Sequence, residues 1–194
     1  MEGVCKTNFK KNEIVMKYGD FNVKDLKDCD VLHCRSNGFI ARAIQWFTKS
    51  RLNHTALILN IRDEFFVIDS QIDGTNMRPL DEWLKKYNYI YKITRPWFNW
   101  NKEDIKTRAL SMIGHSPYDI PSLIWYQPIY QLTGKWKGKR SPEAKERLYC
   151  SEFVAWVFNM EIWWKASPEF VFKRMKERND FVFVSSEFVK IKIN

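Results

Sequence analysis

The chain contains no apolar run of about 18 residues, the length that a helix needs to cross a membrane. Its start, residues 1–6, has no apolar core of the kind that marks a secretory signal peptide. Glycine and proline are also scarce, at seven residues each. Aromatic residues, by contrast, make up 16% of the sequence, which predicts a chain that folds around a packed core. We therefore expect a folded, cytoplasmic protein without a membrane span.

A length of 194 residues fits one domain of ordinary size. Residues 1–27 are polar and weakly patterned, which predicts an N-terminal lead-in. Patterned apolar segments begin near Cys29, and no internal repeat or linker interrupts them. We predict a single domain over residues 28–194, and the sequence leaves the oligomeric state open.

Cysteine and histidine are scarce, with four and three residues respectively. The cysteines lack the close spacing of a disulfide framework, so free thiols are expected in a reducing compartment. His33 lies near Cys29 and Cys34, but a zinc site normally needs a second pair of ligands close in sequence. The pattern predicts neither a metal nor a cofactor.

Acidic residues are outnumbered, because 32 Lys and Arg face 23 Asp and Glu and give a formal net charge of +9. Such a surplus favours contact with an anionic surface, with nucleic acid or with an acidic substrate. The sequence has no zinc finger, helix-turn-helix or RNA-binding aromatic motif, so no specific nucleic-acid complex is expected. A basic nucleic-acid-binding module without catalysis is the alternative from outside the enzymes.

Apolar periodicity predicts an α+β domain with a largely antiparallel sheet. Two β-rich runs, 55–61 and 65–69, are joined by Arg62-Asp63-Glu64 and form a predicted hairpin. The other predicted elements are a strand at 30–34, a helix at 38–48 with Ser36 as its N-cap, a strand after Gly74, a helix at 79–87, a strand at 89–93, a helix at 102–113, a helix that starts at Ser167-Pro168-Glu169, and strands at 181–184 and 188–193.

The segment 118–136 is rich in aromatic residues but is interrupted by Pro121, Pro128 and Gly134. These interruptions predict a broken helix or a structured loop. The aromatic side chains are too many to form one buried face, so part of the segment is a candidate wall for a substrate. Tyr118, at its start, is a candidate substrate-binding residue.

Cys150 opens an apolar helical segment, 149–158, directly after the charged run 137–147. A thiol in the first turn of a helix meets the positive end of the helix dipole and unpaired backbone N–H groups, which lower its pKa. Burial as a small apolar residue is the alternative for any free cysteine. A histidine in a matching position upstream favours the nucleophile.

His54 directly precedes the predicted strand 55–61, and Asp69 closes the neighbouring strand. A cysteine hydrolase needs a thiolate, an imidazole within hydrogen-bond reach of it and a polar group that fixes the imidazole. A thiol at a helix start that faces a histidine on a strand is the arrangement found in papain. Cys150, His54 and Asp69 are therefore the candidate catalytic residues.

The order of the motifs resembles that of the circularly permuted, NlpC-type papain-fold cysteine hydrolases, and of the YiiX-like branch in particular. In papain the cysteine precedes the histidine, whereas here Cys150 follows His54. The resemblance covers about residues 28–185, and its relatives include poxvirus proteins and, more distantly, lecithin:retinol acyltransferase-like proteins. Its pieces are Asp30-Val31-Leu32, the helix 38–48, Asn53-His54-Thr55-Ala56-Leu57, Val67-Ile68-Asp69-Ser70 and Tyr149-Cys150-Ser151-Glu152-Phe153-Val154.

The resemblance implies a permuted papain-like fold in which a helix bearing Cys150 packs on an antiparallel sheet bearing His54 and Asp69. It implies Cys150 as nucleophile, His54 as general base and Asp69 as the group that orients the imidazole. The implied substrate is a peptide or an acylated small molecule, whose amide bond, of peptide or cell-wall peptide type, is cleaved through a thioester. A lipid acyl hydrolase or acyltransferase on the same core is the alternative among enzymes.

Two positions depart from the family pattern. Cys29 stands where Gly usually precedes the Asp of the first motif, and Asp69 stands where Glu is frequent. The shorter Asp69 leaves Gln71 and Asp73 as alternatives for the orienting group. Tyr149 is the second candidate substrate-binding residue, because its hydroxyl or the nearby backbone N–H groups are candidates to face a developing oxyanion.

Overall fold

The computed structural model describes residues 21–87, 90–97, 100–138 and 147–192. Most of the lead-in, residues 1–20, and most of the basic run, residues 139–146, lie outside the described residues. The strands are β1 Phe21–Asn22, β2 Val31–Arg35, β3 His54–Ile61, β4 Glu64–Gln71, β5 Gly74–Pro79, β6 Ile90–Pro96, β7 Phe181–Val189 and β8 Ile191–Lys192. The helices are α1 Phe39–Thr48, α2 Leu80–Lys86, α3 Lys102–Ser111, α4 Gln127–Thr133, α5 Cys150–Val157 and α6 Pro168–Glu177. Short 3-10 or π turns span Val23–Asp25, Ser122–Tyr126 and Trp163–Lys165.

Six strands form one sheet in the order β5-β4-β3-β2-β6-β7, and every neighbouring pair is antiparallel. The predicted hairpin is β3 and β4. Its turn residues Arg62 and Asp63 have φ values of 52° and 65°, which suit the tight turns that match the twist of two antiparallel strands. The α+β class and the antiparallel sheet are thus as predicted. The short β1 pairs in parallel with β8 outside this sheet.

Because side chains alternate along a strand, the sheet buries a different apolar set on each face. Leu57 and Ile68 contribute to the larger core, where α5 packs against β3 and β4. Ala56 and Val67 contribute to the core on the opposite face, which is closed by α2 through Leu80 and Trp83. None of the helices in the described ranges is long and apolar enough to cross a membrane.

Two local predictions are wrong. Helix α1 has Gly38 as its N-cap, whereas the backbone N–H of Ser36 donates to Asn53 Oδ1 at 2.7 Å. The strands predicted at 181–184 and 188–193 are largely one strand, β7, because the polar residues between them continue the pairing with β6 through an irregular register. The segment 118–136 is broken as predicted, since a π turn runs into α4 and Gly134, at φ 67°, ends that helix.

Candidate active site

Cys150 is the first residue of α5, and contacts from other parts of the chain hold the start of this helix in place. The hydroxyl of Ser70, at the end of β4, donates to the carbonyl oxygen of Leu148 at 2.5 Å. The backbone N–H of Tyr149 donates to Glu152 Oε2 at 3.3 Å, which satisfies a donor that the helix itself leaves free. Cys150 is buried, so its position at the helix start is part of the packed structure.

His54 is the first residue of β3 and lies opposite Cys34 of β2. Its imidazole is hydrogen-bonded to the thiol of Cys150, and the backbone N–H of Thr55 donates to the same sulfur. The thiol and the imidazole therefore meet where β3 begins and α5 starts. The sequence predicted this meeting from the position of each residue at the start of its element.

The thiol and the imidazole change each other's charge state. Burial alone raises the pKa of Cys150, but the charge and hydrogen bond of His54, with the N–H of Thr55, bring it below the ordinary value of 9.0. Burial lowers the pKa of His54, yet the thiolate and the hydrogen bonds to Cys150 and Asp69 outweigh it and raise that pKa to about 10. Because the pKa of the thiol is lowered and the pKa of the imidazole is raised, the two groups favour a thiolate–imidazolium pair.

Asp69 lies on the other side of the imidazole. His54 Nε2 is 2.9 Å from Asp69 Oδ2, and because an ionised carboxylate only accepts, Nε2 carries the proton. Burial raises the pKa of Asp69, but the hydrogen bond and charge of His54, with hydrogen bonds from Gln71 and Trp83, lower it below its usual value. The carboxylate therefore stays ionised and fixes the ring.

Asp69 is held by donors that the sequence did not reveal. Trp83 Nε1 donates to Asp69 Oδ2 at 3.0 Å, and the indole stacks on His54 with 6.5 Å between ring centroids. Arg78 Nη1 donates to Asp69 Oδ1 at 3.0 Å, while its Nη2 donates to the exposed carboxylate of Asp73 at 2.6 Å. Gln71 also donates to Asp69 Oδ2. Gln71 and Asp73, the predicted alternatives for the orienting group, are therefore linked to the imidazole through Asp69: Gln71 directly, and Asp73 by way of Arg78.

A cleft with a volume of about 410 Å³ opens beside the imidazole, and we call it the His54 cleft. Tyr118, a predicted substrate-binding residue, lies in its wall. Tyr149, the other predicted substrate-binding residue, lies instead in the wall of a neighbouring apolar pocket, where its hydroxyl accepts from Gln127 Nε2 at 2.6 Å. The wall of the His54 cleft is formed by Ser36, Gly38, Phe39, Ala41, Ile44, Asn53, His54, Ser70, Gln71, Ile72 and Tyr118.

The remaining thiols and the buried histidine have other surroundings. Burial raises the pKa of Cys29 to about 12 and that of Cys34 well above 9.0. His33 Nε2 is bonded to Thr94 Oγ1 at 2.8 Å. Within the four described ranges, no three His, Cys, Asp or Glu side chains are grouped so as to hold a metal ion.

Comparison with known proteins identifies the class. A family model described as "Permuted papain-like amidase enzyme, YaeF/YiiX, C92 family" matches residues 25–189. Among solved structures, the chain is similar to the one titled as metalloprotein yiiX from Escherichia coli O157:H7, with 17% sequence identity and a TM-score of 0.50. The similarity covers 83% of this chain and 97% of that one. No curated protein sequence matches the chain.

The fold is that of a permuted papain-like cysteine hydrolase, in which the segment bearing the histidine precedes the segment bearing the cysteine. The chain belongs to the permuted papain-like amidase family C92, the YaeF/YiiX family, and is an enzyme of the cysteine peptidase or amidase type. The resemblance inferred from motif order is thereby confirmed.

Proposed function

We propose that the protein hydrolyses an amide bond through a thioester on Cys150, with His54 as acid and base and Asp69 as the positioning residue. The observation that carries this proposal is one imidazole bonded on both sides. Its Nε2 lies 2.9 Å from Asp69 Oδ2, and the ring is also hydrogen-bonded to the Cys150 thiol. The family assignment to amidases supports the choice of an amide.

In the acylation step the Cys150 thiolate attacks the carbonyl carbon of the amide, and a C–S bond forms as the carbonyl oxygen becomes an oxyanion. The oxyanion then collapses and the C–N bond breaks. His54 gives its proton to the departing amine, because a neutral amine is a far better leaving group than an amide anion. The product at this stage is an acyl-Cys150 thioester beside a neutral imidazole.

In the deacylation step a water molecule attacks the thioester carbonyl while His54 takes one of its protons. The C–S bond breaks, which releases a carboxylic acid and restores the thiolate beside the imidazolium. Asp69 accepts from Nε2 throughout, so the other ring nitrogen stays directed at the sulfur. The low exposure of His54 and Cys150 keeps bulk water from screening the ion pair.

The test uses amides of 7-amino-4-methylcoumarin, whose cleavage releases fluorescence, together with intact-mass detection of the acyl-enzyme. The wild type should accumulate one acyl group on Cys150. Cys150→Ala should abolish turnover and acyl transfer with the circular dichroism unchanged, and His54→Gln should reduce turnover nearly as much. Cys29→Ala is the matched control, since it removes a buried thiol outside the site.

A Cys150→Ala protein that kept most of the wild-type rate would overturn the proposal. Transfer of the acyl group to Cys29 or Cys34 instead of Cys150 would do the same. Retention of the rate by His54→Gln alone would remove the histidine from the chemistry and leave the thiol without its base.

A further inference from the structure

A cavity outside the His54 cleft lies where the chain reverses after α4. Gly134 ends that helix, and the residues that follow it lie beside the 3-10 turn Trp163–Lys165. The volume of this cavity is about 500 Å³, and we call it the lysine pocket. In the described part of the chain its wall consists of Gly134, Lys135, Trp136, Lys137, Trp164 and Lys165, and it shares none of these residues with the His54 cleft.

The described wall of the lysine pocket is cationic without a balancing acid. Three of its six side chains are lysines, and none is Asp or Glu. Ion pairs to carboxylates are made by Lys85, Lys106 and Lys173, but none links a lysine of this pocket to a described carboxylate. Residues 120–142 contain no Asp or Glu at all. Because like charges around one cavity repel each other, a bound anion would stabilise this arrangement.

Packing holds one side of the wall in place. Trp136, between Lys135 and Lys137, is 5% exposed, and its indole meets the ring of Tyr130 edge-on with 5.8 Å between centroids. An added Cβ at Gly138 would lie 2.7 Å from Cζ2 of the same indole, so the backbone passes close against this ring. The two lysines therefore extend from a fixed segment, which reduces the entropy lost when they bind a ligand.

The other side of the wall places a cation next to an aromatic ring. Lys165 is half-buried, and its Nζ lies 4.6 Å from the centroid of the Tyr130 ring, which stabilises the ammonium group in this position. Trp164 is also half-buried and meets Trp163 edge-on, with 6.0 Å between centroids. A half-buried indole in the wall of a pocket is a surface on which a planar ring can stack.

We propose that the lysine pocket binds a nucleoside phosphate, with the phosphate among the three lysines and the base against Trp164. Ammonium groups bind phosphate as point charges, and stacking on an aromatic side chain accepts any base. A phosphate alone would leave the indole without a partner, and a planar ring alone would leave the cations unbalanced. The volume of about 500 Å³ is typical of pockets for small molecules.

The ligand is either a free nucleotide or the end of a single-stranded nucleic acid, because both present a phosphate and an accessible base. Neither contact reads the identity of the base, so the proposal agrees with the prediction that no specific nucleic-acid complex forms. The lysine pocket is separate from Cys150 and His54, and its ligand does not depend on the proposed amide hydrolysis.

Comparison of a nucleotide with its two halves gives the first test. Calorimetry on the full-length protein would measure the Kd of adenosine 5′-diphosphate (ADP), of inorganic pyrophosphate and of adenosine, at low and at physiological salt. ADP should bind about tenfold more tightly than either half, since only ADP makes both contacts. Its Kd should rise with salt, because salt screens the contacts between ammonium groups and phosphate. Absence of ADP binding, or equal binding of ADP and pyrophosphate, would overturn the proposal.

Charge variants test the phosphate contact. The triple variant Lys135→Gln, Lys137→Gln, Lys165→Gln should weaken ADP binding about tenfold and reduce its dependence on salt. The matched control changes three exposed lysines outside the pocket and should leave both quantities unchanged. It combines Lys24→Gln, Lys173→Gln and Lys176→Gln. An equal loss in the control would show that overall charge attracts ADP and that the pocket does not bind it.

Removal of the indole tests the base contact. Trp164→Leu should weaken ADP binding about fivefold or more and leave pyrophosphate binding unchanged. Trp164 also packs against the larger core, so circular dichroism must match that of the wild type. If this variant does not fold, the comparison of ADP with pyrophosphate on the wild type still tests the ring. An equal loss of both ligands in a folded variant would contradict stacking on Trp164.

A single-stranded oligonucleotide with a 5′-phosphate separates the two sources of the ligand. Binding about tenfold tighter than that of ADP would identify a strand, and equal or weaker binding would identify the free nucleotide, both in accord with the proposed site. The Cys150→Ala protein should bind ADP as the wild type does. A failure of amide hydrolysis would therefore leave this proposal standing, and a failure of ADP binding would leave the proposed hydrolysis standing.

Discussion

At the scale of single residues, the site depends on two buried opposite charges, on Cys150 and His54, that stabilise each other. An isolated thiolate or imidazolium in this surrounding would be costly, since burial disfavours each charged form. Together, the attraction between Cys150 and His54 overcomes that cost. Among the groups that lower the pKa of the Cys150 thiol, His54 contributes most, first through its charge and then through its hydrogen bond.

The pH dependence of alkylation should report this coupling. Iodoacetamide should modify Cys150 of the wild type at a pH below the ordinary thiol pKa of 9.0, while Cys29 and Cys34, whose pKa values are raised by burial, should stay unmodified. In His54→Gln the charge and hydrogen bond of the imidazole are lost while the effect of burial remains, so the midpoint should move to higher pH. Rates read by mass spectrometry of the tryptic peptides would settle it, and an unchanged midpoint in His54→Gln would contradict the pairing.

Turnover should fall at high pH for a different reason. His54 must hold a proton to give to the leaving amine, and its pKa is raised to about 10. The rate should therefore be lost as pH rises through about 10, even though the thiolate persists there. A pH–rate profile with an alkaline limb near 7 would show that the imidazolium is not stabilised as the structure indicates.

Asp69 should contribute more to kcat/KM than the side chains that donate hydrogen bonds to it. Asp69→Asn keeps the size but removes the charge that faces the imidazolium, so kcat/KM should fall by about ten- to a thousand-fold. Trp83→Phe keeps a ring against His54 and removes only the N–H that donates at 3.0 Å, so its loss should be smaller, about two- to tenfold.

The same kinetic series decides between the candidates for the orienting group. Gln71→Ala and Asp73→Asn should reduce kcat/KM less than Asp69→Asn. Gln71 donates to Asp69, and Asp73 accepts from Arg78, which in turn donates to Asp69, so each of these bonds reaches the imidazole through Asp69. An unchanged rate for Asp69→Asn with a large loss for either of the others would transfer the orienting role to that residue.

At the scale of elements, the pieces that sequence predicts well are those whose pattern is local. The β3–β4 hairpin has two alternating apolar runs and a polar turn, and helix α6 has Ser167 as an N-cap that accepts from Phe170 N–H. Strand β7 was divided in the prediction because Ser185-Ser186-Glu187 has the composition of a turn. Its pairing with β6 and a bond from Ser185 Oγ to the Glu187 carbonyl keep the segment extended.

The supporting donors of the site were beyond sequence reasoning because they depend on strand register. Asp69 pairs with Asn76 and Val67 pairs with Arg78, so Arg78 is the diagonal neighbour of Asp69 on one face of the sheet. Trp83 reaches the same carboxylate from α2, which begins directly after β5. Neither relation follows from spacing along the chain.

Gly74, the first residue of β5, should tolerate no side chain. Its φ is +96°, and an added Cβ would lie 3.1 Å from the carbonyl oxygen of Ser116, which accepts from the N–H of Thr75. Gly74→Ala should destabilise the fold by about 1–3 kcal/mol through backbone strain and the close approach. Urea unfolding measures this loss.

Gly134→Ala is the matched control for that variant, because Gly134 has φ +67° and open space around its Cα. It should lose only the cost of the left-handed conformation, about 1 kcal/mol. Equal losses at both positions would show that the contact between β5 and the loop at Ser116 can yield.

At the scale of the whole molecule, the central sheet contains a buried histidine, His33, whose protonation in acid should destabilise the fold. His33 Nε2 bonds to Thr94, and its Nδ1 is buried with no hydrogen-bond partner among the described residues. Burial first, and then the charge of Lys92, lower the pKa of His33 to about 3. Charging this ring inside the core would leave a cation there with nothing to balance it.

Stability should accordingly fall on acidification. Because the folded pKa of His33, about 3, lies below its unfolded value near 6.5, the unfolded chain binds the proton first and stability is lost as pH falls from about 6.5 toward 3. The slope from this group approaches about 1.4 kcal/mol per pH unit. Urea midpoints between pH 5 and 7 should show a shallower slope for His33→Phe than for the wild type, and identical slopes would contradict this account.

The sequence predicted those residues of the candidate site whose chemical type and position at the end of an element are both distinctive. A thiol at a helix start, a histidine at a strand start and an acid at the end of the next strand are recognisable wherever they stand in the chain. The apolar pocket was not predictable, because its wall combines residues of α1 with Leu123 and Ile124 from the broken segment. Sequence suggested that this segment could form a substrate wall, but the shape that makes it a pocket arises from packing.

The bond from Ser70 Oγ to the Leu148 carbonyl joins residues 78 positions apart and ties the end of β4 to the start of α5. Until that junction closes, Cys150 is an ordinary thiol with no imidazole beside it, and it is no more open to oxidants than the other cysteines of a nascent chain. During synthesis His54 and Asp69 leave the ribosome before Cys150, because they precede it in the chain by 96 and 81 residues (150 − 54 and 150 − 69). Under the proposed function, the reactive thiolate therefore forms only after the start of α5 has docked against β3 and β4.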